Sequence, residues 1–355
     1  MNRLFNCLYW MLRDAPYIRN PELDAFERKN QREKISAEKC LVFDTSICSN
    51  NLGDQIIMYY CNKIYDDLGF QKREYIPTHI HPDSSYDAVL KSDEIRFVSG
   101  TNLLSYDIQK INGWKFPKKI SYLINLCLLG VGWINYEDKV SAYTRRFYRA
   151  ILKNSFIHSV RDSFTERQLN KMGIDNVLNT GCPTMWGLSE EHCKRIPVSK
   201  GSKAITALTD YRQDPKYDRF MLEVILRNYE KVYFWPQGKG DCAYLEQLLS
   251  DKHRVSILER SLDSYNEILH EQEVDYIGTR LHAGIHAINR EHRSIIIGVD
   301  NRAAEISKDT NLCVISRYAM RDCLESIING KFKTDIHINK KNIIKWKEQF
   351  ITNHK

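Results

Sequence analysis

The chain has 355 residues, of which 43% are hydrophobic and 27% are charged, and its formal net charge is +7. Single hydrophobic cores stop growing at roughly 250–300 residues, so this length predicts two domains. The charged and aromatic fractions are those of a globular protein and exclude a disordered or fibrous chain. The ten cysteines form no closely spaced pairs of the metal or redox type, which predicts thiols in a reducing cytoplasm.

Most of the positive charge lies in the segment 331–355, where seven lysines stand against Asp335 and Glu348, a surplus of five. Two interpretations are open: the solvated face of an amphipathic helix, or a surface that contacts an anionic membrane. The helical spacing of Ile343, Trp346 and Phe350 favours the first. No nucleic-acid partner is predicted.

Two apolar segments bear on the location of the protein. The segment 4–12 is short and is followed by charged residues, so it does not fit a secretory signal. The segment 120–133 is shorter than the roughly 20 residues of a spanning helix. The expected location is the cytoplasm, at the inner face of the membrane if the basic segment binds lipid.

Apolar runs alternate with helical patterns along the chain, which indicates α/β domains with parallel sheets. Residues 1–37 are rich in alternating charge and predict a helical extension. A polar stretch over 189–202 predicts a linker between an N-terminal α/β domain (38–190) and a C-terminal one (200–330), with a basic helix over 331–355. Besides a helix over 53–68, strands are predicted at 40–44, 95–99, 123–131, 156–160, 177–180, 204–208, 232–235, 255–258, 274–277, 294–299 and 312–315. The expected architecture is two Rossmann-like domains with a central cleft.

Ligands of such folds bind at the carboxyl ends of strands, which makes the residues after each strand candidates. The first group is Asn51-Leu52-Gly53-Asp54, which opens the helix predicted after the first strand. Gly53 allows a close backbone approach, and a helix N-terminus offers N–H groups to an anion or a sugar hydroxyl. The alternative is a helix cap formed by Asn50 or Asn51.

Small and polar residues follow two more strands. Gly100, Thr101 and Asn102 come after the strand at 95–99, and Gly132 follows the apolar run that ends before Gly130. These positions predict contacts with a substrate in the cleft. Tight turns are the alternative explanation for each of them.

Arg161 ends the strand at 156–160, where its guanidinium can fork onto a carboxylate or a phosphate. An ion pair with Asp162 or Glu166 is the alternative. Cys182 follows the strand at 177–180, but no His or Asp accompanies it locally, and a structural role is favoured.

The sharpest signal is Gly278-Thr279-Arg280-Leu281-His282, where a strand runs into a helix. It places a guanidinium, an imidazole and a helix N-terminus at one point suited to anions. His282 and His286 have the spacing of zinc ligands on a helix, yet no third ligand is evident and no metal is predicted. Asp300 and Arg302 follow the next strand and are expected to close the same pocket, unless Asp300 is a helix cap.

Taken together, these segments resemble the polysaccharide pyruvyl transferase family. The resemblance covers about residues 40–310 and rests, in the family's order, on Asn51-Leu52-Gly53-Asp54, Val160-Arg161-Asp162, Gly181-Cys182-Pro183 and Gly278-Thr279-Arg280-Leu281-His282-Ala283 before Asp300. It implies a fold like that of GT-B glycosyltransferases, phosphoenolpyruvate as co-substrate without a cofactor, and a cell-surface saccharide, free or lipid-linked, as the acceptor.

The family's Arg-Leu-His motif maps onto Arg280, Leu281 and His282, and its upstream Arg maps onto Arg161. Many members carry a Lys where this chain has Asn301-Arg302. We therefore expect Arg161 and Arg280 to bind phosphoenolpyruvate and His282 to transfer a proton. A GT-B glycosyltransferase that uses a nucleotide sugar and a saccharide-binding scaffold without activity are the competing hypotheses.

Overall fold

The computed structural model describes residues 21–30, 39–111, 113–249 and 254–351. The chain divides into two compact units. The first unit comprises Met1–Cys48, Tyr60–Pro183 and Asn339–Lys355, and the second comprises Ser49–Tyr59 and Thr184–Ile338. Both units alternate strands with helices and contain parallel sheets, which confirms the predicted α/β class.

The first unit contains a four-stranded parallel sheet in the order β2-β1-β3-β5, and two pairs of short parallel strands, β4 with β6 and β7 with β8. Its strands are β1 (Lys39–Asp44), β2 (Lys72–Pro77), β3 (Ile95–Ser99), β4 (Asn102–Leu104), β5 (Leu126–Leu129), β6 (Gly132–Trp133), β7 (His158–Val160) and β8 (Val177–Asn179). Its helices, one of which begins in the second unit, are α1 (Pro21–Lys29), α2 (Leu52–Asp67), α3 (Asp87–Leu90), α4 (Ala142–Leu152) and α5 (Ser163–Lys171).

Burial on both faces explains why β1 reads as an apolar run over 40–43 and why Ile95, Phe97 and Val98 of β3 are apolar on either side of the buried Arg96. Every residue of β3 is buried, and so are all residues of β1 except Lys39. Parallel strands covered on both sides by helices have this pattern. Of the 1–37 extension, the described residues form helix α1, whose Leu23 and Phe26 pack into the core of the first unit.

His158 lies fully buried in β7 and is held neutral by its surroundings. Its Nε2 lies 2.6 Å from the Leu152 carbonyl oxygen, and its Nδ1 accepts a hydrogen bond of 3.3 Å from the Leu128 amide. Burial lowers the pKa of His158 to about 4. A proton on Nδ1 would face the Leu128 N–H, so the native state excludes the imidazolium.

The second unit contains one six-stranded parallel sheet in the order β11-β10-β9-β12-β13-β14. Its strands are β9 (Lys203–Thr206), β10 (Lys231–Phe234), β11 (Ser256–Ile257), β12 (Val274–Gly278), β13 (Ser294–Gly298) and β14 (Val314–Ser316). Counted from β9, this is the 3-2-1-4-5-6 order of the Rossmann fold. The order reverses between β9 and β12, which is where such sheets bind ligands.

The helices of the second unit separate these strands. They are α6 (Glu190–Lys194), α7 (Pro215–Asn228), α8 (Asp241–Leu248), α9 (Leu262–Ile268), α10 (Leu281–Asn289), α11 (Asn301–Thr310) and α12 (Met320–Asn329). Helix α10 packs closely on the sheet at Gly284. A Cβ at this position would lie only 2.5 Å from Ile296 Cγ1, so the absence of a side chain permits the close approach. The stretch 189–202 that was predicted as a linker contains α6 and lies in the second unit.

The basic C-terminal segment forms helix α13 (Lys340–Ile351), which belongs to the first unit. Trp346 is fully buried, with ring centroids 6.2 Å from Phe97 and 5.0 Å from Phe350. Ile343 is buried as well, whereas Lys340 and its neighbouring lysine Lys341 are exposed. This helix is therefore a structural part of the first unit with a charged outer face.

Candidate functional site

A tight turn at the switch point of the second sheet positions the predicted Arg and His. Arg280 follows β12, and its backbone N–H and carbonyl both bond the Tyr276 hydroxyl, at 3.2 and 2.7 Å. The hydroxyls of Thr209 and Thr279 lie 2.8 Å apart and join the segments that follow β9 and β12. His282 sits in the first turn of α10 and is 6% exposed.

The guanidinium of Arg280 is buried in an ion-pair cluster. Its Nη2 lies 3.0 Å from Asp210 Oδ1 and 2.5 Å from Asp241 Oδ1, and its Nε donates to the Leu208 carbonyl at 2.5 Å. The Tyr211 ring covers it, with the ring centroid 5.3 Å from Cζ. Two carboxylates thus offset the single positive charge of Arg280.

Asp241 is the anchor of this cluster because it has no exposed surface. Its Oδ2 accepts from the amides of Gln237 and Gly238 at 2.9 and 2.7 Å, and its Oδ1 accepts from the amide of Asp210 at 3.2 Å. Burial raises the pKa of Asp241, while Arg280 and the Gly238 amide act in the opposite direction.

Two glycines after β10 make room for the cluster. A Cβ at Gly238 would lie 2.4 Å from Arg280 Nη2, and one at Gly240 would lie 2.8 Å from Asp210 Oδ2. Asp210, Asp241 and this loop were not predicted from the sequence. The Gly-Lys-Gly segment directly after a predicted strand was the available signal.

A narrow pocket opens beside this turn within the second unit. Its volume is about 20 Å³, which is room for one water molecule. Its walls bring together residues that were predicted from the sequence to bind ligand or transfer a proton, namely Asn51, Arg280, Leu281, His282, Asp300 and Arg302, together with Thr279 of the same motif.

The Asn-Leu-Gly-Asp segment acts locally as a cap. Asn51 Oδ1 accepts from the Gly53 amide at 3.1 Å and from Gln237 Nε2 at 2.5 Å. A Cβ at Gly53 would lie 2.7 Å from Gln237 Nε2, so the glycine permits this contact. Asp54 is buried and accepts from the Ser49 hydroxyl at 2.6 Å. The cap that was weighed as an alternative is present, and Asn51 nevertheless lines the pocket.

Asp300 also caps a helix, which was the alternative interpretation of this residue from the sequence. Its Oδ1 accepts from the Arg302 amide at 3.0 Å at the start of α11, and its Oδ2 lies 2.8 Å from Arg302 Nε. Arg302 Nη2 also donates to the Tyr211 hydroxyl at 2.8 Å. This cap holds Arg302 against the same pocket.

A second group of predicted residues meets in the first unit. Arg161 is 1% exposed, and its Nη2 donates to Asn102 Oδ1 and lies 3.5 Å from Asp162 Oδ2. Its Nε and Nη1 are buried without a hydrogen-bond partner among the described residues. A Cβ at Gly132 would lie 2.4 Å from Arg161 Nη2, so this position must be glycine for the guanidinium to fit.

Gly100 and Thr101 shape the backbone beside this group. Both have a positive φ, 50° and 51°. The Gly100 amide donates to the Leu129 carbonyl and the Thr101 carbonyl accepts from the Gly132 amide, each at 2.8 Å. They form the tight turn that was the alternative explanation. The joint assignment of the two groups to one cleft remains a prediction.

His286 and Cys182 are structural in their surroundings. His286 Nε2 lies 2.8 Å from Asn266 Oδ1, and its ring packs 5.9 Å from that of Tyr265. Cys182 is buried, and the nine cysteines of the described ranges form no disulfide. Within the same ranges, no three His, Cys, Asp or Glu side chains are grouped as metal ligands, and no helix is long and apolar enough to span a membrane.

Comparison with solved structures identifies relatives of the fold. The chain is similar to the UDP-GlcNAc 2-epimerase of Methanocaldococcus jannaschii in complex with UDP-GlcNAc and UDP, with a TM-score of 0.52 and 11% identity over 89% of this chain and 99% of that one. It is also similar to the UDP-GlcNAc 2-epimerase of Neisseria meningitidis, with a TM-score of 0.50 and 12% identity over 89% and 100% of the two chains. At these identities the likeness concerns the fold, and it confirms the GT-B-like prediction.

Sequence comparison identifies the family. No curated protein sequence matches the chain significantly. The model of the polysaccharide pyruvyl transferase family matches residues 51–301, which is more than half of the chain and includes every motif on which the resemblance rests. The chain therefore belongs to the polysaccharide pyruvyl transferase family.

Proposed function

We propose that this protein transfers the enolpyruvyl group of phosphoenolpyruvate onto two hydroxyls of a saccharide as a ketal, with release of phosphate. The observation that supports an anionic donor is the state of Arg161. A buried guanidinium with unmet donors is costly, and the Asp162 carboxylate at 3.5 Å offsets only part of its charge. A carboxylate or phosphate at Nε and Nη1 would satisfy both donors.

The reaction balances without a cofactor. A proton added to the methylene carbon gives an oxocarbenium-like centre at C2, which the first sugar hydroxyl attacks. The second hydroxyl then replaces phosphate at the same carbon. Of the two hydroxyl protons, one is retained in the new methyl group and the other leaves with phosphate.

His282 is the proposed proton-transfer residue. It lines the pocket beside Arg280 and Thr279 and has little exposure to solvent. Histidine can take up and release a proton near neutral pH, and general acid–base catalysis typically contributes about 10²–10⁴-fold. The pocket must widen to admit the donor, because it now holds the volume of a single water.

Arg280 has a different part in this proposal. Asp241 fixes its orientation from the buried side, whereas Asp210, with 23% of its side chain exposed, can give way to an incoming anion. Arg280 then contacts the donor only after an exchange of partners, while Arg161 is ready to bind.

The test measures donor binding and turnover separately. Phosphate release from phosphoenolpyruvate is followed with galactose- and N-acetylhexosamine-containing acceptors, and donor binding is followed by thermal shift. We expect His282→Gln to lower kcat by about 10²–10⁴-fold with little change in donor binding. The matched control is His286→Gln on the same helix, which should retain turnover because His286 does not line the pocket.

Arg161→Ala should instead abolish the donor-induced thermal shift. A ligand present at 100 times its Kd stabilises a protein by about 2.7 kcal/mol, which makes the shift easy to detect. Stabilisation of the wild-type protein by UDP- or GDP-sugars but not by phosphoenolpyruvate would favour a nucleotide-sugar transferase instead. Wild-type turnover by His282→Gln would exclude His282 as the proton-transfer residue.

A further inference from the structure

A large groove on the first unit lies among elements that the proposed chemistry does not use. Helix α1, the segment 108–123 and helix α4 enclose it, and its volume is about 960 Å³. Its wall is apolar and includes Phe26, Phe116, Ile120 and Phe147. Phe116 and Ile120 are only partly buried, although their rings and methyl groups pack on the core beneath.

Lysines surround this apolar wall. Lys29, Lys118 and Lys119 line the groove, are exposed, and form no ion pair with any part of the chain that the structure describes. Glu22 is the acidic residue on the groove, which leaves a surplus of two positive charges among these four.

The sequence around the groove has the same bias. Residues 108–136 include four lysines and no Asp or Glu. The other acidic residues of α1, Asp24 and Glu27, form ion pairs with Arg146 of α4 and do not neutralise the lysines of the groove. The result is a cavity with an apolar lining and exposed lysines at its edge, of which Lys118 also interacts electrostatically with Asp83 and Lys119 lies over the Tyr122 ring.

We propose that this groove binds an anionic phospholipid and so attaches the protein to the surface of an anionic membrane. An acyl chain would lie along the aromatic wall, and Lys29, Lys118 and Lys119 would contact the headgroup phosphate. Phe26 and Phe147 are buried at the base of the groove and Phe116 and Ile120 are partly exposed above them, so the cavity offers an apolar lining to an acyl chain. Clustered lysines attract anionic lipids. A membrane lipid combines both properties in one ligand.

The groove combines positive charge with an apolar cavity, whereas the basic C-terminal helix does not. Helix α13 presents Lys340, Lys341 and Lys345 to solvent, but Trp346 and Phe350 on its apolar side are buried in the first unit. It offers charge without an apolar cavity. Lipid binding at the groove is independent of the reaction proposed above.

The experiment uses the full chain and flotation with vesicles of phosphatidylcholine, alone or mixed with phosphatidylglycerol. The wild-type protein should float with the mixed vesicles, and added salt should weaken this binding. Lys118→Glu combined with Lys119→Glu should reduce binding by at least about tenfold. Lys340→Glu combined with Lys341→Glu, the matched control with the same charge change on α13, should bind as the wild type does.

A second variant probes the apolar wall. Ile120→Ser keeps every lysine, and we expect it to weaken flotation with the mixed vesicles while circular dichroism shows an unchanged fold. Failure of the wild-type protein to float, or equal flotation with both vesicle types, would overturn the proposal. So would a loss confined to the α13 variant, or a groove variant that alters the oligomeric state and leaves flotation unchanged.

Discussion

The buried carboxylate Asp241 should be essential for the stability of the second unit. Its charge is fully buried beside Arg280, which is itself 3% exposed. Removal of one partner from a buried ion pair typically costs about 3–5 kcal/mol, because the other charge is left uncompensated. Asp210 remains 3.0 Å from Arg280, so we expect Asp241→Asn to cost the lower end of this range, about 3 kcal/mol.

Lost hydrogen bonds are a second reason why Asp241→Asn should lower the free energy of unfolding. Asp241 accepts two amide hydrogen bonds through Oδ2, and through Oδ1 it accepts one amide and Arg280. An asparagine retains one oxygen, so its NH₂ group must face donors in either orientation. Asp210→Asn provides the contrast, since its side chain is partly exposed and solvent screens its charge. We expect a cost below about 1 kcal/mol there and tighter binding of phosphoenolpyruvate, because part of Arg280 is released.

Hydrogen exchange in urea measures both variants, because amides of β10 and β12 report the second unit by itself. The Asp241→Asn variant should lose about 3 kcal/mol of protection there, while amides of β1 in the first unit stay unchanged. Equal losses in the two variants, or full protection in Asp241→Asn, would refute the assignment of Asp241 as the anchor of Arg280.

Three further predictions concern the first unit. Its free energy of unfolding should fall by up to about 3 kcal/mol as the pH drops from 6.5 towards 4. The reason is that His158 takes up a proton in the unfolded chain, whereas the folded residue, with a pKa of about 4, excludes it. Urea melts at several pH values should show a flatter pH dependence for His158→Asn. Gly132→Ala should raise the KM for phosphoenolpyruvate by about tenfold or more, because the new methyl group would lie 2.6 Å from Arg161 Cζ. The control is Gly187→Ala, whose methyl group would lie 3.7 Å from Asn289 Oδ1 and which should behave as wild type in the same assay. Trp346→Ala should destabilise the unit by about 3–5 kcal/mol in urea melts, and an unchanged midpoint would contradict a structural role for α13.

Most of the strands predicted from the sequence are largely buried, whereas β11 was predicted although both of its residues are exposed. Their apolar residues identified β3 and β12 within a residue of their bounds, although each strand also carries one buried charged residue, Arg96 and Asp275. Strand β2 was missed because its sequence, Lys-Arg-Glu-Tyr-Ile-Pro, is charged and half exposed at the edge of the sheet. Strands β4 and β6 have three and two residues, too few for a periodic signal.

Part of the candidate site could be predicted from local sequence patterns and part could not. Arg280 and His282 were visible because a strand, a turn and a helix N-terminus follow one another in sequence. Their partners were not, since Asp210 and Asp241 lie 70 and 39 residues away from Arg280 and meet it only through the order of the strands. Side chains that follow β9, β10 and β12 converge at the switch point, and no local pattern encodes that convergence.

The two arginines that the sequence analysis treated alike have opposite electrostatic states. Arg280 is compensated by two carboxylates, so an anion can bind it only in competition with them. Arg161 has one carboxylate at 3.5 Å and two nitrogens without partners among the described residues, so an anion gains hydrogen bonds there without displacing any. Binding energy for the donor should therefore come mainly from Arg161. Arg280 lines the same pocket as His282 and is fixed from its buried side by Asp241, so under the proposed function we expect it to contribute more to the rate than to affinity.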